Sequence, residues 1–104
     1  GPARAIRAAA AMRHRLAALG LSVRIGIHTG EVERRRGDVR GLAVHVAARV
    51  AAEAGAGDVL VTGVTHDLVA GSGISFASQG TRRFRGMDEP WPVYSVTGVA
   101  PSGR

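Results

Sequence analysis

The chain predicts an α+β fold, a sheet with its helices gathered on one face. Three observations lead there. Helical and strand-like stretches follow one another without the strict alternation of a parallel α/β protein. Leu21–Ile27 and Asp58–Thr62 carry apolar patterns suited to strands, whereas residues 3–19 and 41–54 repeat their apolar side chains near a helical period. Aromatic residues make up only 4% of the 104 residues, so the core has to be built from Ala, Val, Leu and Ile.

Each element has a local reason. Ala3–Leu19 is Ala-rich, places Ile6, Met12, Leu16 and Leu19 near a 3.6-residue period, and meets a stop at Gly20. Leu21–Ile27 alternates as LSVRIGI, with Leu21, Val23, Ile25 and Ile27 on one face, and reads as a strand. It has neither Pro nor edge lysine to protect it as a sheet edge, so it calls for a neighbour. Glu31-Val32-Glu33 resumes the strand after a turn at Thr29-Gly30, and Arg34–Asp38 (RRRGD) is an exposed turn. Gly41 then opens a helix that runs to about Ala54, with Leu42, Val46 and Val50 as its apolar stripe. Asp58–Thr62 (DVLVT) is a short strand suited to burial on both faces. Thr65 is placed to cap a short helix over His66–Ala70. Ile74–Ser78 and Thr81–Arg85 form a predicted hairpin across Gln79-Gly80, and Val93–Val99 is the last strand. No internal repeat or linker divides the chain.

Composition narrows the functional classes. A chain of this length is one small domain, or part of one, with a modest core. It has no cysteine, which excludes disulfides and thiolate metal sites and suits a reducing, cytoplasmic setting. No apolar run is long enough to span a bilayer, and the Arg-rich first helix lacks the apolar centre of a signal peptide. Gly1-Pro2 resembles a protease scar, so the natural chain is expected to extend upstream. The net charge of +6 rests on arginine alone, without any lysine. That favours anionic partners such as nucleotides, although an Ala/Arg/Gly/Val-rich coding bias is the plainer source. Phe76, Phe84, Trp91 and Tyr94 are too few to interleave with the basic residues as a stacking platform. An RNA- or DNA-binding domain is therefore placed far behind, and no nucleic acid or membrane is expected as a partner.

The chemistry-bearing stretch is Asp38-Val39-Arg40-Gly41-Leu42-Ala43-Val44-His45-Val46-Ala47-Ala48-Arg49, which follows the strand Arg24–Gly30. Taken singly, its residues have plain readings. Asp38 is a turn aspartate beside Gly37, Arg49 a solvated or salt-bridged helix arginine, and His45 a helix-surface histidine. Arg85, in Arg82-Arg83-Phe84-Arg85, is equally part of a basic surface run. Glu31 and Glu33 read as solvated, and His14, His28 and His66 have no metal-ligand spacing to one another.

Taken as an ordered set, with Phe84-Arg85-Gly86 and Pro92-Val93-Tyr94-Ser95-Val96 further on, they resemble the second half of the catalytic domain of class III adenylate/guanylate cyclases. The family motif is D-x-x-G-x-x-V-N-x-x-x-R. The resemblance implies a truncated ferredoxin-like nucleotidyl cyclase fold, with residues 1–104 as the C-terminal part of one catalytic domain. It implies that Asp38 accepts a hydrogen bond from the adenine amino group and that Arg49 neutralises charge in the transition state. It assigns triphosphate binding to Arg85, where lysine is usual in the family. His45 stands where the family has the asparagine that positions the ribose.

Physical chemistry agrees with these roles. Cyclisation of a nucleoside triphosphate builds negative charge on the reacting phosphate and on the leaving pyrophosphate, and a fixed guanidinium in a water-poor site stabilises it. Spacing of four residues puts His45 and Arg49 on one helix face. An ionised aspartate only accepts hydrogen bonds, which favours adenine over guanine.

The resemblance also implies what this stretch does not carry. The family binds two Mg²⁺ or Mn²⁺ ions through aspartates on the preceding strands, where its purine-reading lysine also lies. The expected function is thus an adenylate cyclase fragment, with ATP as substrate and inactive alone. Family sites form between two protomers, so a homo-oligomer or another cyclase protomer is the expected partner. The alternative is a catalytically dead dimerisation or regulatory module of the same fold.

Overall fold

The computed structural model describes residues 1–30, 33–35, 38–40, 42–84 and 89–100. Its order is α1 (Pro2–Ala18), β1 (Arg24–Ile27), β2 (Glu33–Arg35), β3 (Asp38–Arg40), α2 (Leu42–Glu53), β4 (Asp58–Thr62), α3 (Gly63–Leu68), β5 (Ile74–Arg82) and β6 (Trp91–Val99). The fold is α+β, as the sequence predicts. Four strands form one sheet in the order β1-β4-β6-β5, and β2 and β3 pair separately. β1 runs parallel to β4, with α2 as the crossover between them, while β4–β6 and β6–β5 are antiparallel. No helix among the described residues is long and apolar enough to cross a membrane.

The helices lie on both faces of the sheet rather than on one. Along β4, Val59 and Val61 join a core with Ile6 and Ala9 of α1 and Val96 of β6. Leu60, between them, joins a second core with Val46, Val50 and Ala54 of α2, Phe84 and Val93. Successive strand side chains point to opposite faces, so the continuous apolar run of β4 needs a helix on each side.

Several elements differ from expectation. α1 ends as expected, with the Gly20 and Leu21 N–H groups bonded to Ala17 and Leu16 carbonyls and Gly20 at φ 78°. Its buried residues, however, are Ile6 and Ala9, while Met12 is 51% and Leu19 73% exposed. Ile6 and Met12, six residues apart, do not share a face as the period suggested, and the sheet takes the face through Ile6 and Ala9. β1 starts at Arg24, leaving Leu21 exposed, and β4 is its one neighbour among the described strands. Arg34, Arg35 and Asp38 lie in the β2–β3 ladder, with Arg35 opposite Asp38, rather than all in a turn.

Thr65 does not cap a helix. α3 begins earlier, at Gly63, and encloses Thr65 as a fully buried residue. Gln79-Gly80 does not reverse the chain either. β5 continues through it, and the register slips between Ser78, opposite Tyr94, and Thr81, opposite Pro92. Gly80 has a φ of 76°, a left-handed conformation that here inserts one extra residue as a bulge.

Candidate functional site

β1, β4 and α2 frame the site. α2 lies almost directly on β1: a Cβ placed on Gly26 would come 2.2 Å from the Ala51 nitrogen and 2.8 Å from the Ala47 oxygen. The Gly57 N–H then bonds the Val23 carbonyl, so the chain leaving α2 returns to the start of β1. β1 consequently runs toward the N-terminal end of α2, and His28, just past β1, lies toward the end that carries His45.

Of the residues singled out from sequence, Asp38 opens β3, opposite Arg35, and its side chain lies outside the described residues. His45 lies in the first half of α2, its side chain likewise outside them. Arg49 is four residues on in the same helix, half-buried beside the fully buried Val46 and Val50. Helical spacing thus sets His45 and Arg49 on one side of α2, while Val46 and Val50 hold the helix to the sheet. Arg85 lies outside the described residues. Its neighbour Phe84 is buried in the core that contains Val46 and Val50, so the chain leading to Arg85 is anchored beside α2.

The structure adds a polar cluster that sequence reasoning set aside. His28 Nδ1 lies 2.7 Å from Thr62 Oγ1, and the His28 ring tilts against Trp91 with centroids 5.2 Å apart. The Thr65 hydroxyl is 3.1 Å from that of Thr29 and 3.4 Å from that of Thr62. Thr62 and Thr65 are fully buried, so this chain of hydroxyls satisfies groups that would otherwise be costly to desolvate. Burial lowers the pKa of His28 below the ordinary imidazole value. The available signal was positional: His28 and Thr62 each stand at the end of a strand, and these two strands prove to be adjacent.

Among the described residues no group of three or more His, Cys, Asp or Glu side chains is arranged to hold a metal ion. Positions 45 and 49 stand one helical turn apart on α2, which packs closely on β1.

A sequence model of the adenylate and guanylate cyclase catalytic domain matches residues 5–98. A solved adenylate/guanylate cyclase/hydrolase from Silicibacter pomeroyi is 29% identical with a TM-score of 0.63, over 74% of this chain and 46% of that one. A monomeric adenylate cyclase from Trypanosoma brucei is 26% identical with a TM-score of 0.60, over 76% of this chain and 38% of that one. The guanylate cyclase domain of RhGC from Catenaria anguillulae, solved with GTP, shares the fold at 20% identity and a TM-score of 0.76, over 95% of this chain and 60% of that one. The chain therefore spans less than half the length of the first two structures. A search of curated proteins finds no match.

Proposed function

Because the chain belongs to the adenylate and guanylate cyclase catalytic domain family, we propose that it supplies the base-reading and charge-neutralising half of an adenylate cyclase site. In the whole family domain that site converts ATP to cyclic AMP and pyrophosphate. The observation that supports this reading is the ordered spacing of Asp38, His45 and Arg49, with the last two on a helix clamped to the sheet by Val46 and Val50. Asp38 accepts a hydrogen bond from the adenine amino group, and His45 hydrogen-bonds the ribose. Arg85 holds the triphosphate with a planar fork in place of the usual ammonium. Arg49 neutralises charge as the bond to pyrophosphate breaks.

Metal ions serve the family by activating the 3′ hydroxyl and binding the phosphates. The described residues do not fit as their ligands, so the reaction is assigned to an assembly in which another protomer provides them. The chain alone is expected to show no turnover. It is expected to bind an ATP analogue in preference to a GTP analogue, and to restore activity to a cyclase mutated at the position equivalent to Arg49. Confirmed association with that cyclase and no restored activity would overturn the reading.

A second reading has one specific support, the histidine at position 45 where the family has asparagine. In it the chain is a cyclase-like dimerisation module without catalysis. Equal, weak binding of ATP and GTP analogues in the presence of Mn²⁺ would favour it.

A further inference from the structure

Thr62 gives up a local bond for a distant one. It is the N-cap residue of α3, extended at φ −78° and ψ 161°, yet its hydroxyl caps no N–H of that helix. It meets His28 Nδ1 instead, and Thr65, within α3, meets the Thr29 hydroxyl. Two successive residues leaving β1 are therefore fastened, side chain to side chain, to the junction of β4 and α3. Gly26 and His28 alternate onto the α2 side of the sheet. There the His28 ring also rests against Trp91, which packs on the α2 core.

This clasp stands at the root of the β2–β3 hairpin. Among the described residues that hairpin pairs only with itself, outside the main sheet. Glu33 of β2 follows Thr29 by four residues, at most about 14 Å of chain. At its other end, β3 leads into α2 after a single residue. A ribbon without sheet neighbours takes its direction from its two roots. One root is α2, pressed onto β1 at Gly26. The other is the clasp.

We propose that the His28–Thr62 and Thr29–Thr65 bonds act together as a positioning clasp, which places the hairpin carrying Asp38 and through it sets the selectivity for the base. The inference rests on the base-reading role proposed for Asp38 and adds the residues that hold it in place. None of the four need touch the substrate. Reading the base is a ground-state contact, so loss of the clasp should raise KM and narrow the adenine preference. The turnover rate, assigned to Arg49 on α2, should change little. A variant that only loses stability behaves the other way, because it leaves less active protein at an unchanged KM.

The chain has no cysteine and one tryptophan, so a single engineered thiol can report the hairpin's distance from Trp91. A dansyl acceptor is attached to Arg35→Cys, opposite Asp38 in the hairpin. Time-resolved energy transfer should give one narrow distance distribution in that background. Added Thr62→Val or His28→Phe should shift or broaden it, with donor-only proteins as references. Thr62→Ser keeps the hydroxyl and should restore it. His28→Phe keeps a ring beside Trp91 at a partly exposed position, so it carries the test if Thr62→Val loses its circular dichroism spectrum. In the complementation assay each of these two variants should raise KM for ATP about five- to tenfold, the worth of one hydrogen bond, with kcat within about twofold. The double variant should add little to either single one. An unaltered distance distribution in both folded variants overturns the inference, as does an unchanged KM where Asp38→Asn raises its own. An altered distribution beside an adenine preference that Asp38→Asn leaves intact supports the clasp and overturns the base-reading role instead.

Discussion

Gly26→Ala should be among the most damaging single-carbon additions in this protein. The new Cβ would stand 2.2 Å from the Ala51 nitrogen, 2.7 Å from Ala51 Cα and 2.8 Å from the Ala47 oxygen, all backbone atoms of α2. No side chain can rotate away, so the helix itself has to lift. Reaching an ordinary contact of 3.4 Å requires a shift of about 1.2 Å. A gap of about 0.5–1 Å already forfeits from a quarter to half of the dispersion energy across the interface, and the interface includes the fully buried Val46 and Val50. With roughly 1.5–3 kcal/mol for each of these two buried valines, the loss comes to about 1–3 kcal/mol. The gain of about 0.5–1 kcal/mol from replacing a strand glycine offsets part of it. Urea unfolding followed by circular dichroism measures the change, with Gly55→Ala as the control because a Cβ there meets nothing within 4 Å. The same lift displaces Arg49, so the rate restored in the complementation assay should fall together with stability. A Gly26→Ala protein within about 0.5 kcal/mol of the natural chain would refute the packing of α2 on β1.

Other perturbations test separate parts of the structure. Thr65→Val removes the hydroxyl shared with Thr29 and Thr62 and should cost about 1–2 kcal/mol in urea unfolding. His28 has a lowered pKa through burial, so the unfolded chain binds its proton at a higher pH than the folded one. Its contribution is complete above the unfolded value of 6.5 and declines as pH falls below it, so stability measured from neutral to mildly acidic pH should drop. His28→Gln should flatten that slope. In the complementation assay Arg49→Ala should lower the restored rate by about 10²–10³ while leaving analogue binding within a few-fold. Asp38→Asn should narrow the preference for adenine over guanine in a paired titration. Because β1 keeps one side without a described neighbour, light scattering should show association rising with concentration, and a clean monomer throughout would contradict this.

Much of the fold was legible wherever a local signal acted alone. DVLVT reads as a strand buried on both faces and is one, because nothing in its pattern competes. Gly20 stops α1 where expected, since a left-handed residue closes the helix whatever the sheet does. The errors arose where the outcome depended on what the rest of the chain would touch. Ile6 and Met12, grouped by period, lie on different faces of α1, and the position of the sheet decides which is buried. Gln79-Gly80 fits a turn or a bulge equally well, and the nine-residue length of β6 selects the bulge by giving β5 a long partner. In the site, the helical phase of His45 and Arg49 follows from spacing. The His28–Thr62–Thr65–Thr29 cluster does not, because it joins residues up to 36 positions apart through the parallel pairing of β1 with β4.

The five residues of β4 carry both cores, Val59 and Val61 on one side and Leu60 on the other. The two hydrophobic layers therefore share one wall and cannot melt separately. Heat or urea should take the molecule apart in a single step, with far-ultraviolet ellipticity and Trp91 emission reporting the same midpoint.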